Sequence, residues 1–185
     1  MERMAIRSAP IGTAPFTVAD LEAMPDDGRF YELSHGVLVV TPGPNTRHQL
    51  VATKLLGVLT DHLLPSQEVL VEAELYISDD TVKRPDVQVV DRRLIGGQRI
   101  MGTPALVVEI ASPSTAILDR TEKRVAYAAA GIPAYWLVEP DAGTITVLDL
   151  VDGDYVERSV VGIDDAVEVD HPTTFVLAGR AVLAP

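Results

Sequence analysis

Cysteine is absent, which excludes disulfides, thiolate nucleophiles and sulfur-ligated zinc. Histidine is scarce as well: four are scattered along the chain, and none joins an obvious Ser-His-Asp set. Aromatic residues make up only 5% of the chain, and no apolar run reaches the ~18 residues that span a bilayer. The N-terminus lacks the charged, apolar and small-residue succession of a signal peptide. No membrane association is expected, and the expected compartment is the cytoplasm. Basic charge is also short, with 15 Lys and Arg against 27 Asp and Glu for a net charge of −12. That balance looks hostile to nucleic acid, because Lys and Arg on phosphates supply most sequence-independent affinity.

The charge is unevenly spread, however, and the spread matters more than the sum. Between Lys83 and Arg124 eight basic residues meet five acids, a net of +3, so the remainder carries −15. Much of the acid lies between Glu139 and Asp170, where ten carboxylates accompany the single Arg158. A polyanion could therefore approach one face only, with Arg84, Arg120 and Arg124 as candidate nucleic-acid contacts. The plain alternative is a set of solvated surface charges with no partner; a separate one is an unrelated interaction domain whose acidic C-terminal half, Glu139 to Asp170, binds a basic partner.

Apolar residues at 47% and charged residues at 23% describe a compact folded chain, and no linker divides it. Residues 1–15, with two prolines and no periodicity, read as a flexible arm, and 16–185 as one domain. Thr17 and Asp20 form a capping box for a short helix that ends before Pro25-Asp26-Asp27-Gly28. Phe30 to Leu33 and Val37 to Val40 read as a hairpin about Ser34-His35-Gly36. Periodic Leu50, Val51, Leu55, Val58, Leu59 and Leu63 predict a helix from Thr46 to Leu64.

Strands are then expected at Glu68–Ile77, Pro85–Asp91 and Ala105–Ile110, the last two Val-rich as in doubly covered strands. Asp119 to Ala130 reads as an Ala-rich helix stopped by Gly131 and Pro133. Further strands follow at Ala134–Glu139, Thr144–Leu150 and Tyr155–Val161, the last two joined by Val151-Asp152-Gly153-Asp154. One or two more fall between Ala166 and Val182. The succession predicts an α/β (α+β) fold: a mixed β-sheet flanked by helices, with a trailing β meander.

Asp86 and Glu109 each adjoin an apolar β-type run, where an ionised group is costly unless something pairs with it. Two such carboxylates invite a hard divalent cation, with coordination positions left for water and substrate. Helical spacing puts Asp119, Lys123 and Tyr127 on one face. If that face covers the strand ends, Lys123 becomes a point charge beside an attacking water or a phosphate. This is the equipment for phosphodiester hydrolysis.

Several motifs agree in order and spacing with a known family. They are Tyr31-Glu32-Leu33 before His35-Gly36, then Arg84-Pro85-Asp86-Val87, then Val107-Val108-Glu109-Ile110-Ala111-Ser112-Pro113-Ser114-Thr115. Asp119-Arg120 with Lys123 and Tyr127, Gly131-Ile132, and Tyr135-Trp136-Leu137-Val138-Glu139-Pro140 follow. From Phe16 to Leu150 the chain resembles the Uma-two family, restriction-endonuclease-like proteins of the PD-(D/E)XK nuclease superfamily. The resemblance implies a restriction-endonuclease-like core and a Mg²⁺-dependent endonuclease acting on DNA, Mn²⁺ substituting for Mg²⁺. It also implies that Glu32, Asp86 and Glu109 hold the metal. The superfamily's usual lysine, two residues after the acid, would fall at Ala111; within the family it has moved to the following helix, matching Lys123. Cutting two strands favours a homodimer. The alternative is a nuclease-fold module that binds nucleic acid or protein without turnover.

Each site residue also has a structural reading. Asp86 could pair with Arg84, Glu109 with Arg120 or Arg124, Glu32 could face solvent, and Lys123 could lie on the surface. Asp119 opens Asp119-Arg120-Thr121-Glu122 and reads first as an N-cap; His48 and Tyr127 read first as a satisfied side chain and as packing. Supporting roles for Asp119, His48 and Tyr127 at the site are the alternatives.

Overall fold

Residues 5–7, 15–25, 27–41, 43–111 and 119–185 are described by the computed structural model of the chain. The hairpin forms first in sequence: β2 (Phe30–Ser34) and β3 (Val37–Thr41) pair antiparallel with Leu33 opposite Leu38. Its two-residue turn puts His35 at φ 47° and Gly36 at φ 74°, the mirror-image turn that matches strand twist. A side chain at position 36 would also run into the Cβ of Pro15. α1 (Val18–Glu22) carries the expected capping box, Thr17 and Asp20 each bonding the other's backbone N–H.

The expected 1–15 arm is described at residues 5–7 and 15 alone. Ala5–Arg7 within it forms β1, paired antiparallel with β3 through Ile6 and Val39, because β3 would otherwise be an open sheet edge. The long helix also ends early, as α2 (Thr46–Thr60) with Asn45 as N-cap. Its buried line is Val51, Ala52, Leu55 and Leu59; Leu50, read as part of that stripe, is 44% exposed one position to the side.

The predicted strand over Glu68–Ile77 is two strands in two sheets. β4 (Gln67–Val71) and β5 (Leu75–Ser78) are separated where Glu72 takes φ 53°, a left-handed turn with no glycine to announce it. β5 pairs with β6 (Thr81–Lys83), a strand too short to stand out by alternation, and β6 pairs with β2 through Leu33 and Val82. The single mixed sheet expected is therefore divided. A five-stranded sheet has the order β1-β3-β2-β6-β5, and a six-stranded one carries the larger core.

That second sheet contains β7 (Val87–Asp91), β8 (Leu106–Ile110), β9 (Ala134–Glu139), β10 (Thr144–Val151) and β11 (Asp154–Gly162), in the order β11-β10-β9-β8-β7-β4. Only β8 and β9 run parallel, Val108 opposite Trp136, so the chain between them crosses back over the sheet. The crossover ends in a π-helical turn (Asp119–Lys123) and α3 (Arg124–Ala129), with Gly131 at φ 70° beyond. β10 and β11 turn through Asp152 and Gly153, both at positive φ, as the sequence predicted.

Alternation splits the strands' side chains between two cores. Val87, Val89, Leu106, Val108, Ile110 and Trp136 face α2 on one side; Val90, Val107 and Tyr135 meet Tyr127 and Ile132 on the other. The tail forms β12 (Ala166–Val169), β13 (Phe175–Ala178) and α4 (Gly179–Leu183), and Val169, Phe175, Leu177 and Val182 complete the first core. The meander runs from β9 through β11. No helix among the described residues is long and apolar enough to cross a membrane.

Candidate active site

Glu109 follows Val108 in a strand whose every residue is buried, and only 1% of it is exposed. Strand alternation turns it away from α2, toward the crossover. There α3 delivers Tyr127, whose hydroxyl donates to Glu109 Oε1 at 2.5 Å, while the Lys123 ammonium lies 2.8 Å from Oε2. The four-residue spacing read from sequence does bring Lys123 and Tyr127 onto one carboxylate. Tyr127 is fully buried, and burial together with the charges of Glu109 and Glu32 holds its pKa far above the ordinary 10. Its proton is fixed, so Tyr127 locks the Glu109 rotamer as a permanent donor.

Glu32 comes from the other sheet. It is 4% exposed on β2, with Oε1 3.8 Å from Lys123 Nζ and accepting from the Arg84 backbone N–H at 3.3 Å. Lys123 is itself only 7% exposed. One ammonium thus serves two buried carboxylates, which keeps their burial tolerable. The solvent-facing and surface readings of Glu32 and Lys123 do not hold, because the two sheets meet at this point.

Asp86 sits one step beyond the Val87–Val108 pair and is partly exposed. Its Oδ2 accepts from the Ile110 N–H at 2.6 Å and lies 3.1 Å from His48 Nε2, in the first turn of α2. Oδ1 takes no bond among the described residues, which leaves it available to a ligand. Asp86 is therefore not held by Arg84. That guanidinium bonds Glu74 at 2.8 Å and covers the Phe30 ring at 4.8 Å, so Arg84 points into the protein rather than outward to a polyanion. Arg124 donates to the Tyr155 carbonyl and lies 3.6 Å from Asp154. The side chains of Asp119 and Arg120 lie outside the described residues, so their assigned roles do too.

Beside this cluster is a second ion pair that sequence reading did not single out. Lys83, 1% exposed at the end of β6, places its ammonium 2.8 Å from both oxygens of Glu122, and Ser34 Oγ also donates to Glu122. Glu122 does not close the capping box expected with Asp119. Nothing in Thr81-Val82-Lys83 distinguished a buried lysine from a surface one, since burial arises only where the sheets meet. Burial pushes the Glu122 carboxyl upward, but the Lys83 charge and the bonds from Lys83 and Ser34 outweigh it and bring the pKa below its usual 4.5.

Glu122 therefore contributes stability above its unfolded pKa, and that contribution is lost as pH falls through the lowered folded value. Thermal midpoints measured from about pH 6 to about pH 3 should fall for the native chain below roughly pH 4.5. Glu122→Gln should start lower, with Lys83 left unpaired, and show a shallower acid slope; equal slopes would show that the pair does not titrate with folding.

The donor set is all carboxylate oxygen, the chemistry that suits a hard cation. Among the described residues no three Asp, Glu or His side chains already stand close enough to hold an ion, and the Lys123 ammonium neutralises Glu32 and Glu109. Asp86 and Glu109 nonetheless occupy the same end of β7 and β8.

A family model for Uma2, described as "Putative restriction endonuclease", matches residues 18–178. The chain belongs to the Uma2 family. A crystal structure of a "putative nuclease belonging to DUF820" from Anabaena variabilis superposes with a TM-score of 0.76 at 18% identity, covering 92% of this chain and 98% of that one. The fold is therefore shared with that nuclease-like neighbour. No curated protein matches the chain. Within the Uma2 frame the geometry gathers Glu32, Glu109, Lys123 and Tyr127, with Asp86 and His48 alongside.

Proposed function

We propose that the chain is a Mg²⁺-dependent endonuclease-like phosphodiesterase acting on DNA. The observation that carries this reading is the buried Lys123 ammonium lying 2.8 Å from Glu109 and 3.8 Å from Glu32. Carboxylates and an amine in a restriction-endonuclease-related family fit phosphodiester hydrolysis better than any chemistry of cysteine or histidine. Glu32, Asp86 and Glu109 would hold Mg²⁺ or Mn²⁺, which supplies Lewis-acid neutralisation of the phosphoryl oxygens.

The chain's own groups do the rest. Lys123 stands as positive charge beside the attacking water or the phosphate. Tyr127 fixes Glu109, and His48 orients Asp86 through Oδ2. Water's oxygen bonds to phosphorus as one P–O ester bond breaks; the water loses a proton to solvent, and the leaving oxygen gains one. DNA reaches the site along the basic segment, where Arg92, Arg93 and Arg124 are exposed or partly exposed guanidinium groups, and two copies about a two-fold axis cut both strands. Action in the cytoplasm belongs to the same reading.

Calorimetric titration with Mn²⁺, run beside cleavage of a supercoiled plasmid, tests it. A saturable site is expected, with cleavage in Mg²⁺ or Mn²⁺ and none in EDTA. Because the described carboxylates are not already gathered into a three-ligand group, a second reading stays in play: a nuclease-fold module that binds without turnover. Nucleic-acid or protein binding with neither metal uptake nor cleavage would establish that module and reject the enzyme.

A further inference from the structure

Lys83, Glu122 and Ser34 join three chain segments, and each segment carries a residue of the candidate site. Ser34 closes β2 two residues after Glu32. Lys83 closes β6 one residue before Arg84, whose backbone N–H holds Glu32 Oε1. Glu122 immediately precedes Lys123 in the π-helical turn. The pair is thus a joint between the five-stranded sheet and the crossover, adjoining the candidate site without belonging to it.

The crossover needs such a joint. α3 has only six residues, of which Ala126 and Tyr127 are buried while Val125 is among the most exposed apolar side chains. A helix that short gains little from its own hydrogen bonds and depends on tertiary anchors. A π-helical turn adds a residue to the helical cycle, a geometry frequent at functional sites. Its phase decides which way residue 123 points. Sliding that turn by one residue rotates Lys123 about 100° around the axis and off Glu109.

We propose that Lys83 and Glu122 are a positioning pair: by gripping the π-helical turn, the buried Lys83 ammonium sets the direction of Lys123 toward Glu109 and Glu32. Neither residue touches substrate. Ser34 sets the angle of the Glu122 carboxylate, and both hydrogen bonds described for the Lys83 ammonium go to that one carboxylate. The inference deepens the nuclease reading by naming what regulates the geometry of that site, and its structural half stands without turnover.

The test is acetylation of lysines by acetic anhydride, mapped by mass spectrometry on the full chain, beside plasmid-cleavage kinetics. In Lys83→Met, Lys123 should label about tenfold faster than in the native chain while Lys54 is unchanged, because only the turn opens locally. Cleavage kcat should fall about a hundredfold, as for a reacting group displaced by ~1 Å, with KM little altered. Val161→Ala, in the distant core and compared at equal thermal midpoint, should move neither readout. If Lys83→Met does not fold, Glu122→Gln keeps the side-chain size and removes the charge, and the same results are expected.

A folded variant whose Lys123 stays as protected as in the native chain overturns the pair's role. A native chain that never cuts DNA, with Lys123 labelling still raised in the variant, supports the positioning pair and removes the nuclease reading instead.

Discussion

Glu109→Ala is expected to abolish metal-dependent cleavage and, in the same stroke, to destabilise the chain by about 3–5 kcal/mol. The second effect follows from burial. Glu109 is the acceptor for Tyr127 and the close partner of Lys123, and its loss takes from that buried ammonium its 2.8 Å partner, with Glu32 at 3.8 Å next among the described contacts. Tyr127 keeps its proton and loses its acceptor, at a further cost of about 1–3 kcal/mol if nothing replaces it. Urea midpoints of Glu109→Ala, Lys123→Met and the double variant form a cycle that isolates the pair. The double variant should recover much of the loss, since removing both charges avoids stranding either one. It should remain unable to cut. Persistent metal-dependent cleavage in the single variant would reject the site, and an unchanged midpoint would reject the buried pair.

Asp86 allows the chemistry to be removed with less harm to the fold. Asp86→Asn keeps an oxygen to accept from the Ile110 N–H and loses the charge, so cleavage should fall about a thousandfold or more with little change in midpoint. Asp86→Ala removes the acceptor too and should cost about 1–3 kcal/mol besides. Calorimetry should find Mn²⁺ uptake weakened in both variants. Native affinity for Mn²⁺ in Asp86→Asn would take Asp86 out of the ligand set.

Much of this architecture is legible from local pattern. The hairpin turn at His35-Gly36, the Thr17-Asp20 box and the meander turn at Asp152-Gly153 each follow from the chemistry of two to four residues. Glu109 and Lys123 could be brought together because Glu109 closes a Val-rich apolar run and Lys123 shares a helical face with Tyr127. What the sequence hides are events that need two distant segments at once. Glu72 bends the chain without glycine, β6 is three residues long, and Lys83 is buried only because two sheets abut over it. Arg84 misleads for the same reason: an arginine beside a proline looks solvated until Phe30 and Glu74 enclose it.

The parallel pairing of β8 with β9 has one further consequence. Parallel neighbours cannot be joined by a tight turn and need a connection of about a dozen residues or more. Lys123 and Tyr127 are carried on that compulsory return path rather than on a dispensable loop. Shortening the path to delete them would unpair the middle of the sheet, so hydrolytic capacity can be separated from architecture here by exchanging side chains, not by trimming backbone.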